Sequence, residues 1–338
     1  MRSMLEKLVN RENLTEEETS GVFDAIMDGN LGPAMTAAIL VLLRAKQEQP
    51  AELTGAVRAI RKRAKTVRTG LPLVLDTCGT GGDNTSTYNI STAVALLLAA
   101  GGVPVAKHGN RSVSSRSGSA DVLEAMGYPI AAPADVMAHS LVEDRFAFFF
   151  APLYHASMKN VAAVRKELAI RTIFNLIGPL CNPADANVQL MGVGDYRLLK
   201  TIPGVFRSLG IRGYVFCGED GMDEITLTGK TFMVRVSDDA IEETEVYPQD
   251  LGFKRASLGD LSGGDAAENA EIICALFNGR EKGPRRDICI LNAAYGFLAA
   301  GTVATTKEGV ACATALLDSG RAGQHLQTIL DGIRERNT

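Results

Sequence analysis

Residues 74–92 read VLDTCGTGGDNTSTYNIST, and this stretch indicates the fold. A short apolar run ends at Asp76, three glycines follow within residues 79–82, and hydroxyl and amide side chains lead into a helix-like apolar block. Glycines lack a Cβ, so backbone N–H groups can approach an oxyanion, and the helix N-terminus adds partial positive charge. The stretch predicts a phosphate-binding loop between a strand and a helix, although a simple tight turn would also use glycines.

Further apolar runs alternate with helical patterns from residue 71 onward. The strand-like runs are VPVAKHG (103–109), RFAFFFAP (145–152), NVQLMGVG (187–194), GYVFCG (213–218) and DICILNAA (287–294). The end of the chain is again helical. This alternation predicts an α/β fold with a mainly parallel central sheet covered on both faces.

The first 70 residues carry helix signals and no strand-like run. Thr15 and Glu18 form a capping-box pattern, and Pro33 and Pro50 suit the first turns of two further helices. We expect the helix from Pro50 to continue through about Arg68. The chain is therefore predicted to have a helical domain over 1–70, joined by helices from about 165–185, and an α/β domain over 71–338.

Composition excludes several classes of protein. The 338 residues are 46% hydrophobic and 22% charged, with a net charge of −4, so no global basic field would attract nucleic acid or an anionic membrane. The charged N-terminus is unlike a signal peptide, and the longest apolar stretch is too broken to span a bilayer.

Six scattered cysteines without a CxxC pair fit a reducing compartment, which predicts a cytoplasmic location. The basic run 58–68 is interpreted as a solvated helix face near the domain boundary.

A second donor-rich loop follows the next predicted strand. Residues 106–127 place Lys107, His108, Asn110, Arg111 and Arg116 among serines and glycines. Because the carboxyl ends of parallel strands meet at one edge of a sheet, both loops should emerge there. Two such loops facing each other suit a ligand with several phosphates.

Two further features have both a functional and an ordinary interpretation. Asp223 and Glu224 in GMDEIT (221–226) follow a predicted strand, and Mg²⁺ prefers one or two carboxylates with substrate oxygens. They could equally form an exposed acidic turn. Arg165 could hold a carboxylate in bidentate fashion, or it could be an arginine on a helix surface.

Five motifs in order resemble the anthranilate phosphoribosyltransferase family of tryptophan biosynthesis, over about residues 3–335. They are DTCGTGGD (76–83), NIST (89–92), KHGNRSVSSRSGSADVLEAMG (107–127), RTIFNLIGPLCNP (171–183) and DGMDEIT (220–226). The resemblance implies the nucleoside-phosphorylase-like phosphoribosyltransferase fold and a homodimer joined through the helical domain. It implies transfer of the phosphoribosyl group of phosphoribosyl pyrophosphate (PRPP) to the amino group of anthranilate, with inversion at C1. It leaves open any association with anthranilate synthase.

The resemblance also implies roles for particular residues. The residues that it assigns to PRPP binding are Gly79, Gly81, Gly82, Asp83, Thr87, Asn89, Ser91, Thr92, Lys107, Ser115 and Ser119. Anthranilate binding falls to Gly79, His108, Asn110, His155, Arg165 and Gly178. Metal binding falls to Ser91, Asp223 and Glu224, with Mg²⁺ as cofactor and about two ions per active site. No residue is assigned as a nucleophile or general base, because the amine of anthranilate is already neutral at pH 7.

Two alternatives belong to the same fold. A pyrimidine nucleoside phosphorylase would resemble the glycine loop, but those enzymes place a lysine and a serine before the glycines, where this chain has Asp76, Thr77 and Cys78. A non-catalytic nucleic-acid-binding relative would need a broad basic face, which the net charge of −4 disfavours.

Overall fold

The computed structural model describes residues 1–82, 85–112 and 116–337. Its helices are α1 Arg2–Val9, α2 Glu16–Met27, α3 Pro33–Lys46, α4 Pro50–Arg61, α5 Ile90–Ala100, α6 Ser119–Ala125, α7 Ala134–Glu143, α8 Ala151–Tyr154, α9 Lys159–Leu168, α10 Ile173–Ile177, α11 Ile202–Leu209, α12 Ala266–Phe277, α13 Pro284–Ala299, α14 Thr306–Asp318 and α15 Arg321–Arg336. Its strands are β1 Leu75–Gly79, β2 Val105–Gly109, β3 Phe146–Phe150, β4 Val188–Gly192, β5 Arg212–Gly218, β6 Thr231–Val236 and β7 Ile241–Val246.

The strands form one sheet in the order β3-β2-β1-β4-β5-β6-β7. Strands β1 to β5 pair in parallel, whereas β6 and β7 join antiparallel at one edge. The mainly parallel sheet is therefore confirmed. The chain moves from β1 to β2 on one side and later returns to β4 on the other. This change of direction creates a topological switch point at β1, where ligands bind in open α/β sheets.

Both faces of the sheet are covered, as strand β5 illustrates. Tyr214 and Phe216 belong to the hydrophobic core that contains α5 and α12 to α15. Their neighbours Val215 and Cys217 belong to a second core, built with the N-terminal helices and α9 to α11. Alternate side chains of a strand point to opposite faces, so both faces are buried by helices.

The N-terminal helices begin at the expected sequence signals. The hydroxyl of Thr15 accepts from the Glu18 amide at 3.2 Å, and the Glu18 carboxylate accepts from the Thr15 amide at 3.0 Å. This capping box starts α2, which packs against α4. Helices α9 and α10 also pack against this layer. The division into domains at about residue 70 stays a prediction.

Two secondary-structure predictions are wrong. Helix α4 ends at Arg61 rather than about Arg68, because the backbone amides of Lys65 and Val67 donate to the carbonyl oxygens of Tyr154 and Pro183 instead of continuing the helix. The run DICILNAA is part of helix α13, which is buried on nearly every side. A short run that is apolar throughout suits a buried strand and a buried helix equally well.

The basic run 58–68 is less solvated than expected. Arg61 donates to the carbonyl oxygen of Leu180 at 2.8 Å, and Arg63 donates to the carboxylates of Asp24 and Asp28. These arginines therefore tie α4 to α2 and to the segment after α10. Within the described part of the chain, no helix is long and apolar enough to cross a bilayer.

Candidate active site

The glycine loop follows β1 at the switch point. The amide of Thr80 donates to the carbonyl oxygen of Gly192 on β4 at 2.9 Å, which anchors the start of the loop. Gly81 and Gly82 have φ of +62° and +75°, a region that favours glycine. The loop therefore turns sharply at the edge of the sheet.

Lys107 lies on β2 behind the glycine loop and is 2% exposed. Its Nζ donates to the carbonyl oxygen of Thr77 at 2.6 Å and to the hydroxyl of Ser91, at the start of α5, at 3.3 Å. Burial lowers the pKa of Lys107, and the negative charge of Asp76 opposes that shift. Lys107 therefore places a cation beside the N-terminus of α5, where an anion is favoured.

Asp76 provides the buried counter-charge on β1. Its carboxylate accepts from the amide of Asn182 at 2.8 Å and from the backbone amide of His108 at 3.3 Å. Burial raises the pKa of Asp76 to about 6, while the charge of Lys107 works in the opposite direction. Asp76 thus ties β1 and β2 to the segment after α10.

Asn89 connects the two loops predicted to bind PRPP. Its amide nitrogen donates to the carbonyl oxygen of Ser117 in the second loop at 3.1 Å. Its amide oxygen accepts from Asn269 on α12 at 2.8 Å. Asn269 is buried and also accepts from the amide of Gly264. Asn89 therefore holds the second loop next to the N-terminus of α5.

The second loop carries ion pairs of its own. Arg111 pairs with Asp121 and Glu124, so its charge is partly neutralised inside the loop. Ser119 begins α6, and its hydroxyl lies 3.5 Å from the carbonyl oxygen of Asn110. Lys107 is thus the buried cation of this region among the described residues.

The remaining residues predicted to bind PRPP fall into three groups. Thr87 forms an isolated bridge with Ser262. The Thr92 side chain is buried in the first turn of α5, and its hydroxyl has no hydrogen-bond partner among the described residues. Asp83 and Ser115 lie outside the described residues.

Asp223 and Glu224 follow β5 and are half-buried. The Oδ2 of Asp223 accepts from the amide of Gly81 at 2.8 Å. A Cβ placed on Gly79 would lie 2.1 Å from the same oxygen. Asp223 therefore faces the glycine loop, and glycine at position 79 allows this approach. The carboxylate oxygens of Asp223 and Glu224 and the hydroxyl oxygen of Ser91 are ligands of the kind that Mg²⁺ prefers.

A cavity of about 560 Å³ lies between the carboxyl edge of the sheet and helices α4, α9 and α10. All six residues predicted to bind anthranilate line it: Gly79, His108, Asn110, His155, Arg165 and Gly178. Its other walls are largely apolar and include Pro152, Phe174 and Pro179. Such a mixture of apolar walls and a few polar groups is typical of small-molecule sites.

His108 and His155 lie side by side in this cavity, with ring centroids 5.1 Å apart. Burial lowers the pKa of His108 to about 3, helped by His155 and opposed by a hydrogen bond with the backbone of Gly178. Burial also lowers the pKa of His155. Both rings are therefore neutral at pH 7 and offer the cavity hydrogen-bonding nitrogens rather than positive charge.

Arg165 points into the cavity from α9. Its guanidinium carbon lies 5.2 Å from the centroid of the Phe174 ring, and the guanidinium group has no hydrogen bond or ion pair within the described ranges. Burial lowers its pKa from a very high starting value, so the group stays charged. A half-buried arginine stacked on an aromatic ring offers a planar fork to a carboxylate.

Arg171 was not identified from the sequence, although it stands in the quoted motif RTIFNLIGPLCNP. Its guanidinium donates to the carbonyl oxygens of Gly81 and Thr80 at 2.7 and 3.0 Å. Asn182, in the same motif, and Asn269 were also missed. An arginine that binds backbone carbonyls has no local sequence signal, because its partners lie some 90 residues away.

Comparisons with known proteins agree with this geometry. Residues 2–64 match the helical bundle domain of the glycosyl transferase family, and residues 71–323 match its α/β domain. The anthranilate phosphoribosyltransferase of Moorella thermoacetica is 46% identical over 331 residues, covering 98% of this chain and 97% of that protein. That of Acetivibrio thermocellus is 45% identical over 332 residues, covering 98% and 96%.

Solved structures give the same result. The crystal structure of anthranilate phosphoribosyltransferase from Thermus thermophilus superposes with a TM-score of 0.93 at 42% identity, covering 98% of this chain and 99% of that one. The enzyme from Saccharomyces cerevisiae, solved in complex with PRPP and Mg, shares the fold with a TM-score of 0.90 at 24% identity, covering 98% and 97%. The chain belongs to the anthranilate phosphoribosyltransferase family of glycosyl transferases.

Proposed function

We propose that the chain transfers the 5-phosphoribosyl group of PRPP to the amino group of anthranilate, with PRPP on the glycine loop and anthranilate in the adjacent cavity. One observation carries the proposal. The cavity that collects the predicted anthranilate residues is bordered by Gly79, which is also the first glycine of the loop. A nucleophile in the cavity would therefore lie beside a phosphorylated donor on the loop.

PRPP would bind through many neutral donors and few fixed cations. The backbone N–H of Gly82 and the N-terminus of α5 suit its phosphates, whereas the N–H groups of Thr80 and Gly81 bind Gly192 and Asp223. Lys107 adds positive charge from below, and the serines and threonines predicted for PRPP add hydroxyl donors. A site with many neutral donors and few cations suits a ligand that carries several negative charges and binds together with Mg²⁺.

Anthranilate would bind through its carboxylate and its ring. Arg165 supplies the fork for the carboxylate, while Phe174 and the prolines of the cavity contact the ring. The neutral rings of His108 and His155 line the same cavity with hydrogen-bonding nitrogens. Because the rings are uncharged, the carboxylate of anthranilate would pair with Arg165 and not with a histidine. The amine then faces the loop side of the cavity.

The reaction would depend on positioning and charge stabilisation. The lone pair of the amine forms the bond to C1 of PRPP as the bond from C1 to the pyrophosphate oxygen breaks, and the nitrogen then gives one proton to water or to the departing pyrophosphate. Pyrophosphate leaves with the bonding electron pair. Holding both substrates in line in a cleft that limits water accounts for most of the rate increase expected of such a site.

Asp223, Glu224 and Ser91 are the residues proposed to hold Mg²⁺. Bound Mg²⁺ supplies positive charge that offsets the charge of the pyrophosphate group. The yeast enzyme, which shares the fold, is solved in complex with PRPP and Mg, which supports the use of Mg²⁺. About two ions per active site remain part of the proposal.

The assay that tests this function follows the loss of anthranilate fluorescence on adding PRPP and Mg²⁺. We expect a decrease that requires all three components. A parallel reaction with a pyrimidine nucleoside and inorganic phosphate tests the nucleoside phosphorylase alternative, and an electrophoretic shift assay tests binding of nucleic acid. Phosphorolysis, or nucleic-acid binding without turnover, would overturn the proposal.

We also propose a cytoplasmic homodimer joined through the N-terminal helices. Val9 on α1 and Val41 on α3 are 56% and 38% exposed, so this layer presents apolar side chains that a second copy would cover. All six cysteines are free thiols, as a reducing compartment requires. Light scattering should give twice the 35.9 kDa chain mass, and Val9→Asp with Val41→Asp should give the monomer.

A further inference from the structure

We propose that Arg171 is a positioning residue that fixes the direction of two backbone N–H groups in the glycine loop. The inference rests on the proposed function, in which this loop binds PRPP. Arg171 does not line the cavity and is not among the residues predicted to contact either substrate. Its contacts are with the backbone of the loop itself.

The guanidinium of Arg171 holds two consecutive carbonyl groups. Its Nη1 donates to the oxygen of Gly81 at 2.7 Å, and its Nη2 donates to the oxygen of Thr80 at 3.0 Å. Two nitrogens of one rigid, planar group therefore bind two successive peptide units. Hydrogen bonds with a charged donor are stronger than those between neutral groups.

Peptide planarity carries this restraint to the opposite side of the loop. The C=O and N–H groups of a trans peptide unit point in opposite directions, and no cis peptide bond occurs in the described residues. The carbonyl of Thr80 shares its peptide unit with the N–H of Gly81, and the carbonyl of Gly81 shares one with the N–H of Gly82. Arg171 therefore turns both N–H groups away from itself.

The contacts on the far side agree with this geometry. The N–H of Gly81 donates to the carboxylate of Asp223, in the acidic pair assigned to the metal site. Arg171 and Asp223 thus lie on opposite sides of the same peptide unit. The N–H of Gly82 faces the substrate side because the carbonyl oxygen of its peptide unit is held from behind by Arg171.

Glycine at position 82 is required by the same contact. A Cβ added to Gly82 would lie 1.7 Å from the Nη1 atom of Arg171. With φ of +75°, the position also disfavours any other residue. The third glycine of the loop therefore makes room for Arg171, in addition to permitting the turn.

Arg171 also links the loop to the cavity wall. It stands between α9, which carries Arg165, and α10, which carries Phe174. Its own carbonyl oxygen accepts from the guanidinium of Arg44 on α3. The segment that shapes the anthranilate cavity therefore also sets the geometry of the loop proposed to bind PRPP.

The test compares binding of Mg–PRPP to the wild-type chain and to Arg171→Ala, Arg171→Lys and a control, Arg235→Ala, by isothermal titration. Arg235 is an exposed arginine on β6 whose Nη1 atom lies 3.5 Å from Glu242. Arg235→Ala changes the net charge by the same amount as Arg171→Ala. Arg171→Ala should weaken PRPP binding by about ten- to a hundredfold. Arg171→Lys keeps the charge but not the fork, and should lose about threefold or more.

Steady-state kinetics separate positioning from general damage. We expect the KM for PRPP to rise in parallel with Kd, while the KM for anthranilate stays within about twofold and Arg235→Ala behaves as wild type. Thermal melts of both Arg171 variants check folding. Wild-type PRPP affinity in Arg171→Ala would overturn the inference alone, and wild-type affinity in Arg171→Lys would show that only the charge matters and also overturn it. No PRPP binding by the wild-type chain would overturn the proposed function as well.

Discussion

The Oδ2 atom of Asp223 lies 2.8 Å from the backbone nitrogen of Gly81 and accepts its hydrogen bond. A carboxylate that follows β5 is thereby brought to a loop that follows β1, across the intervening strand β4. This contact joins Asp223 to the glycine loop. Asp223 is therefore not merely part of a solvated turn.

The double change Asp223→Asn with Glu224→Gln should raise the Mg²⁺ concentration needed for half-maximal rate and lower the maximal rate. It removes two negative charges from a hard-cation site while keeping shape and an acceptor for the Gly81 amide. The measurement is rate against Mg²⁺ at fixed PRPP and anthranilate. A matched control, Glu242→Gln with Glu243→Gln on the exposed strand β7, should leave the curve unchanged. A curve that superimposes on wild type in the Asp223 variant would remove the proposed metal role.

Arg165→Ala should raise the KM for anthranilate by at least about tenfold, because the carboxylate loses a charged bidentate partner. PRPP binding should change much less, since Arg165 lines the cavity. Initial rates against each substrate measure both effects. Lys166→Ala, at the exposed neighbouring position, is the control. If anthranilate kinetics do not change in Arg165→Ala, the residue is an ordinary helix-surface arginine.

Gly82→Ala should weaken PRPP binding because the added Cβ collides with the Arg171 guanidinium. Gly210→Ala is a matched control, since Gly210 has a similar φ of +67° but open space at its Cβ position. Both variants carry comparable backbone strain, of order 1 kcal/mol, so both should lose similar stability while only Gly82→Ala loses PRPP affinity. Calorimetric titration measures it, and equal affinities in the two variants would argue against the contact.

The free energy of unfolding should fall as pH falls, because His108 is buried in its neutral form. Its pKa of about 3 in the folded chain lies below the ordinary value of 6.5, so the unfolded chain binds more protons between these values. The contribution is present above pH 6.5 and is lost progressively below it. By pH 5 the loss is about 2 kcal/mol. Urea unfolding at pH 7 and pH 5 should show a smaller loss for His108→Gln than for wild type, and identical losses would refute the neutral, buried histidine.

Glu52→Ala should destabilise the N-terminal helices strongly. Glu52 is fully buried, pairs with Lys46 at 2.6 Å, and accepts from the backbone amides of Leu14 and Gln49. Removing one partner leaves a buried charge and two unpaired donors, which costs about 3–5 kcal/mol. Glu245→Gln, in the exposed pair with Lys230, should cost less than about 1 kcal/mol. Chemical denaturation compares the two, and a small effect at Glu52 would contradict the buried pair.

Features of the fold that depend on neighbouring residues in the chain could be predicted from the sequence, whereas features that depend on distant packing could not. The capping box of Thr15 and Glu18 acts within one helical turn, and the glycine loop after β1 has a distinctive local pattern, so both were predictable. Helix α13 was mistaken for a strand because burial on all sides removes the periodicity that distinguishes the two. Strands β6 and β7 were not predicted, and β7 is exposed and acidic, so it lacks an apolar signal.

Within the site, sequence identified residues whose chemistry faces a ligand more readily than residues that position others. Lys107 and Arg165 stood out by charge within their motifs. Arg171, Asn182 and Asn269 act through hydrogen bonds to distant backbone or side-chain groups, and those partners are set only by the packed fold. Such contacts leave no spacing pattern in the chain.

The central claim is transfer between the two neighbouring sites, and product stoichiometry tests it most directly. Wild-type protein is incubated with PRPP, Mg²⁺ and anthranilate, and the anthranilate consumed and pyrophosphate released are quantified by mass spectrometry and a coupled assay. The account predicts equal amounts of both, together with a product whose mass equals anthranilate plus the phosphoribosyl group. Pyrophosphate release without consumption of anthranilate, or no release at all, would contradict it.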